Sequence, residues 1–192
     1  METILTSTLV VALAEIGDKT MLLAIVLAAR FRKPLPIVLG ILVATLANHG
    51  IAAFLGQSIA GLLDGQWFRY AVGISFVAMA LWTLVPDKLD EDEQPKAPRF
   101  GAFVATTIAF FIVEIGDKTQ IATIALGAQF QSVLLVTIGT TLGMMLANVP
   151  AVYFGHALIA RVRLSVVRLV AALLFLTIGL WVIAQAAGLV GQ

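Results

Sequence analysis

Two short stretches of this chain carry acids and bases where lipid-embedded helices rarely tolerate them. Glu15-Ile16-Gly17-Asp18-Lys19-Thr20 recurs, residue for residue, as Glu114-Ile115-Gly116-Asp117-Lys118-Thr119. Both copies lie well inside apolar segments, where insertion scales put an Asp, Lys or Arg at a helix centre at roughly +2.5 to +3.5 kcal/mol. With Glu treated like Asp, the charged groups of both copies come to about 15 to 20 kcal/mol before any pairing. Something must offset that. In a continuous helix Glu15 and Lys19 stand i,i+4 in the favourable order, as do Glu114 and Lys118, so each helix can hold an internal ion pair. That pairing leaves Asp18 and Asp117 without partners, each three residues after its Glu and nearly on the same face. Four carboxylates against two ammonium groups leave two negative charges, which a divalent cation would neutralise. The chain has no cysteine, so its donors are oxygens and nitrogens, a set that suits Mn2+, Ca2+ or Mg2+ better than copper or zinc. Mg2+ holds its water too tightly for a dehydrated protein cage. The competing account is a purely structural ion-pair core.

Neighbouring polar residues sort by the same geometry. Gln120 stands i+3 from Asp117 on the carboxylate face, while its counterpart Met21 offers only a thioether, so the site is expected to be asymmetric. Asn48 and Asn148 are matched amides, suited to completing a coordination shell, to binding a motif carboxylate, or to bonding across helices. Thr20 and Thr119 can donate oxygens, although threonine commonly bonds back to its own helix. Gly17 and Gly116 permit close helix approach and local unwinding, which would free backbone carbonyls as further donors. Pro150 removes a backbone bond beside Asn148. His49 and His156 do not match in the repeat and are expected to be packed or interfacial rather than ligands.

The elements that must position these groups follow from composition. Of 192 residues, 60% are hydrophobic and 12% charged, and the mean hydropathy is +1.03. A soluble domain has about 25% charged residues, so this is an integral membrane protein. At about 20 residues per span the length allows six or seven helices and no soluble domain. A net charge of +1 excludes a polybasic surface for nucleic acid or lipid headgroups as the main theme. No basic residue precedes the first apolar run, which argues against a cleaved secretory signal. Apolar runs place spans near 4–29, 36–58, 68–86, 101–127, 132–158 and 167–189. Residues 87–99, with Asp87, Asp90, Glu91, Asp92, Glu93, Pro95 and Pro98, read as an acidic solvated linker between a first unit, 1–86, and a second, 100–192.

The two units repeat each other beyond the motif. At the same 99-residue offset Arg69, Phe76 and Trp82 match Arg168, Phe175 and Trp181, and with one residue of slippage Leu46-Ala47-Asn48 matches Leu146-Ala147-Asn148. Each unit has an odd number of spans, so the second must be inserted upside down. Charge agrees: Arg30, Arg32, Lys33, Lys88, Lys96, Arg99, Arg161, Arg163 and Arg168 fall on one side and Arg69 alone on the other. The positive-inside rule then makes the linker cytoplasmic and both termini non-cytoplasmic. The expected fold is all-α, six transmembrane helices as two inverted three-helix repeats, a plan shared by many secondary transporters.

Two copies of Glu-x-Gly-Asp-Lys-Thr, the second followed by Gln120, on six spans with an acidic central loop resemble the E-x-G-D-[KR]-[ST] cation exchangers. This is the Gdt-like family, whose members include bacterial manganese exporters of the MneA type and eukaryotic Golgi and chloroplast transporters of manganese and calcium. Neither copy of the motif departs from the family pattern. The resemblance implies that Glu15, Asp18, Glu114 and Asp117 are the cation ligands, with Lys19, Thr20, Lys118, Thr119 and Gln120 in the same signature. It also favours Mn2+ over Ca2+, which spacing alone does not decide. The expected activity is exchange of a divalent cation for protons by alternating access, exporting the cation across the cell (inner) membrane. Cation and proton would compete for the same oxygens, and two protons per cation would be the electroneutral ratio. The ion is substrate, with no resident cofactor and no nucleic-acid partner. The alternatives are a Ca2+/H+ antiporter, an exporter of small organic solutes, and a non-transporting scaffold. An enzyme is not expected, since there is no cysteine, His-Glu-x-x-His or Gly-x-Ser-x-Gly.

Overall fold

A computed structural model describes residues 1–63, 65–86, 101–155 and 163–190. The acidic linker 87–99, His156 and Arg161 lie outside the described residues. Where the sequence predicts six continuous helices, the described residues form eight and no strand. The extra two arise because the first and fourth spans are each interrupted at the motif. Span one is α1 (Glu2–Glu15) and α2 (Lys19–Phe31); span four is α5 (Ala102–Glu114) and α6 (Lys118–Phe130). The others are unbroken and differ from expectation by a few residues at their ends: α3 (Pro34–Leu62), α4 (Gln66–Thr83), α7 (Val133–Phe154) and α8 (Leu164–Ala186). Helices α3, α7 and α8 are long and apolar enough to cross a membrane, and α5 is a shorter apolar helix. Large side chains such as Phe54, Leu142 and Leu173 are exposed, the outward apolar surface that a bilayer covers.

The two units interlock rather than sitting side by side. Helix α1 packs on α7, α3 on α5 and α6, and α4 on α8. Lipid tails are as apolar as leucine, so helices in a bilayer associate by close backbone approach more than by hydrophobic burial. The crossings show this twice over. A Cβ on Gly139 of α7 would lie 2.8 Å from the Ile4 carbonyl oxygen and from Ser7 Cβ of α1. A Cβ on Gly40 of α3 would lie 2.8 Å from the Phe103 carbonyl oxygen and from Thr106 Cβ of α5. These residues are matched pairwise at the 99-residue offset, so one tight crossing is built in duplicate, each time between a helix of one unit and a helix of the other. The matched phenylalanines Phe76 and Phe175, both fully buried, meet at 6.3 Å between ring centres where α4 crosses α8. The interlocking brings the interruption of span one against that of span four.

Candidate cation site

Each interruption is a turn that the motif itself dictates. Ile16 is extended at φ −65° and ψ 110°, Gly17 has φ +86°, and Asp18 N–H donates to the Glu15 carbonyl at 2.9 Å. Ile115 at φ −64° and ψ 119°, Gly116 at φ +77° and the Asp117 N–H to Glu114 carbonyl bond of 3.1 Å repeat it. These are the features of a type II β-turn, whose third residue needs positive φ and therefore glycine. The aspartate that follows opens the next half-helix as its N-cap. The Asp117 carboxylate accepts the Thr119 N–H at 3.4 Å, using its charge at the positive pole of α6. The expected local unwinding is thus present at both motifs, and four half-helix ends gather in the apolar interior.

The carboxylates converge there. Glu15, Asp18, Glu114 and Asp117 are buried, none more than 4% exposed. One oxygen each from Glu15, Glu114 and Asp117 lies within 4.8 Å of the others. The two glutamates are built alike. Glu15 Oε2 accepts the Thr20 hydroxyl and, at 3.3 Å, Asn148 Nδ2, while Glu15 Oε1 accepts no hydrogen bond from the described residues. Glu114 Oε1 accepts the Thr119 hydroxyl and has His49 Nε2 at 3.4 Å, while Glu114 Oε2 accepts none from the described residues. A buried carboxylate oxygen with no hydrogen-bond partner is costly to leave so. A bound cation or a proton relieves it.

The ion pairs differ from expectation. Residues 16–18 leave the helix, which removes the i,i+4 geometry on which pairs within each motif rested. The lysine of each motif meets the aspartate of the other: Lys118 Nζ lies 2.9 Å from Asp18 Oδ1, and Lys19 Nζ 3.5 Å from Asp117 Oδ1. The aspartates read as unpartnered therefore face lysines, and the ion pairs join the two units. Asp18, held by Lys118, stands outside the group of three converging oxygens, whereas Asp117 belongs to it.

The remaining sequence-predicted residues divide. Thr20 and Thr119, candidate oxygen donors in the sequence, do not bond back along their own helices through these contacts but reach across the turn to the motif glutamates. Asn148 reaches Glu15 directly and also bonds Met144 of its own helix. Asn48 does not follow its counterpart. Its Oδ1 accepts Gln120 Nε2 at 2.6 Å and its Nδ2 donates to the Phe111 carbonyl at 3.4 Å. Gln120 Oε1 in turn accepts Gly116 N–H at 2.8 Å, so both ends of that amide brace the second turn. His49, excluded from the site on the sequence, is completely buried and stands at Glu114. Its repeat counterpart is Val149, so the internal symmetry that exposed the other site residues carried no signal for it.

Comparison with known proteins agrees with this chemistry. The family described as divalent cation/proton antiporter GDT1 matches residues 3–91 and 102–189. A Vibrio cholerae protein named "Putative manganese exporter" is 53% identical over 88% of this chain and 84% of its own length. "GDT1-like protein sll0615" of Synechocystis is 32% identical over 87% of this chain and 89% of its own, and "GDT1-like protein 5" of Arabidopsis thaliana 30% identical over 88% and 89%. No solved structure matches the chain.

Proposed function

Because the chain belongs to the divalent cation/proton antiporter GDT1 family, a family of membrane transporters rather than enzymes, we propose that it exchanges Mn2+ for protons and exports the metal from the cytoplasm. The observation that carries this reading is the convergence of buried carboxylates from both units, one oxygen each of Glu15, Glu114 and Asp117 within 4.8 Å of the others, with one oxygen of each glutamate lacking a hydrogen-bond partner among the described residues. Glu15, Asp18, Glu114 and Asp117 are the proposed ligands. Thr20, Thr119 and Asn148 hold or complete them, and Asn48 and Gln120 brace the second turn. The metal is cargo, and the proposal includes no resident cofactor.

The coupling follows from charge. Four carboxylates and two ammonium groups leave two negative charges in a medium of low dielectric, where an uncompensated charge is expensive. One divalent cation or two protons neutralise them, and the two cannot share the same oxygens. Alternating access follows from treating the units as two inverted three-helix repeats that rock about a shared site, with the linker cytoplasmic and both termini on the far side of the cell membrane. Manganese is preferred to calcium because the "Putative manganese exporter" is 53% identical to this chain. Purified protein in liposomes tests the reading. Mn2+ efflux driven by an inward proton gradient, with Ca2+ flux slower, is the expected result. Ca2+ flux exceeding Mn2+ flux would reassign the cargo, and metal flux indifferent to an imposed pH gradient would remove the exchange.

A further inference from the structure

We infer that His49 is the residue that positions Glu114 for the cation, taking a place that Asn48 has been drawn away from. This rests on reading the carboxylate group as a cation site. The argument is a comparison of the two glutamates. At each, one oxygen receives a threonine hydroxyl from across the turn and a second donor from the long helix of the opposite unit; the other oxygen stays bare. At Glu15 the second donor is Asn148 of α7. The repeat would put Asn48 of α3 at Glu114, but Asn48 is engaged by Gln120 and by the Phe111 carbonyl. Position 120 is where the two copies part, since its counterpart is Met21, which has no amide to compete. Beside the diverted Asn48, the next residue of α3 supplies the missing contact, His49 Nε2 at 3.4 Å from Glu114 Oε1.

With its proton on Nε2 the imidazole donates to Oε1, which fixes the orientation of a carboxylate that has an oxygen within 4.8 Å of oxygens of Glu15 and Asp117 and leaves Oε2 without a hydrogen-bond partner among the described residues. Groups that orient a ligand through a hydrogen bond commonly contribute 10- to 100-fold in metal affinity. A packing role predicts something different: His49 is completely buried, and a side chain there for volume alone would be replaceable by any apolar group of similar size.

Mn2+ transport by the full chain in liposomes, read as KM and maximal rate separately, tests the assignment with His49→Val, His49→Gln, Gln120→Met and the double variant His49→Val with Gln120→Met. Valine is what the repeat carries at the matched position. The expected result is a KM for Mn2+ raised about 10-fold or more in His49→Val, with a smaller change in maximal rate. His49→Gln, whose amide can still donate to Glu114, should keep a KM within a few-fold of the parent. In the double variant Asn48 is released to reach Glu114, and the KM should recover relative to His49→Val. Equal chromatographic profiles in detergent establish that the variants fold. A wild-type KM in His49→Val overturns the assignment, as does a loss in His49→Gln as large as in His49→Val. No recovery in the double variant overturns the exchange of places with Asn48. If the unaltered protein moves no divalent cation at all, the cation-site reading fails first and takes this inference with it.

Discussion

The two motif turns have the same six residues and different surroundings, and the difference separates what the motif does from what its neighbours do. Both turns have the same backbone path, the same threonine-to-glutamate bond across the break, and a lysine that crosses to the other unit's aspartate. These features come with the hexapeptide. The surroundings are unequal. The first turn lies against Leu164 at the start of α8, whereas among the described residues nothing stands within 4 Å of where a side chain on Gly116 would be. The second turn is braced by Gln120 and its glutamate is met by a histidine; the first has Met21 and an asparagine. The chemistry is therefore doubled and its support is not.

If the carboxylates form one shared cage, the two glutamates must be equally indispensable despite that inequality. Glu15→Gln and Glu114→Gln should each reduce Mn2+ flux by at least about 100-fold, beyond the 10- to 100-fold typical of groups that only orient a ligand. Flux measurement on both variants decides it. If Glu15→Gln were nearly silent and Glu114→Gln dead, the site would belong to one unit and the duplication would be structural.

The lysines should divide the two turns in stability. Lys118 is 3% exposed and 2.9 Å from Asp18; Lys19 is 19% exposed and 3.5 Å from Asp117. Removing one partner of a buried pair destabilises by about 3 to 5 kcal/mol, because the other charge is left behind. Lys118→Gln should approach that range, and Lys19→Gln, whose ammonium solvent partly reaches and whose contact is longer, should lose less. Denaturant melts of the detergent-solubilised variants give both numbers. Equal losses would mean that the two ion pairs are equivalent and that exposure does not distinguish them.

How much of this could be read from the sequence depends on what each feature needs. The motif, its duplication and the matched Asn48 and Asn148 are visible as identities along the chain, and apolar runs located the helices to within a few residues. The interruption is half visible: Gly17 and Gly116 signal unwinding, but an apolar run has the same hydropathy whether its helix is continuous or broken, and on a continuous helix Glu15 and Lys19 are i,i+4 neighbours. The crossed pairing of Lys19 with Asp117 was invisible because it depends on which helices of the two units touch. His49 lacked a repeat partner. Only the departure of Gln120 from Met21 hinted that the second copy had needed a different neighbour.

The smallest difference between the turns concerns Leu164, and it isolates backbone conformation from contact. An L-residue in the left-handed region costs about 1 to 2 kcal/mol, and Gly17 and Gly116 both have positive φ. Gly116→Ala meets nothing further among the described residues, so its loss should be that conformational cost alone. Gly17→Ala would also place its Cβ 2.8 Å from Leu164 Cδ2. That atom is the end of a flexible side chain and can turn aside, so the additional loss should stay below about 1 kcal/mol, the scale of an off-rotamer side chain. A double-mutant cycle between Gly17→Ala and Leu164→Ala measures it, because a contact term appears as coupling and a backbone term does not. The same cycle between Gly116→Ala and Leu164→Ala should show none. If Gly17→Ala and Gly116→Ala lose equal stability and neither couples to Leu164, then α8 does not bear on the first turn, and the asymmetry between the turns reduces to Gln120, Asn48 and His49.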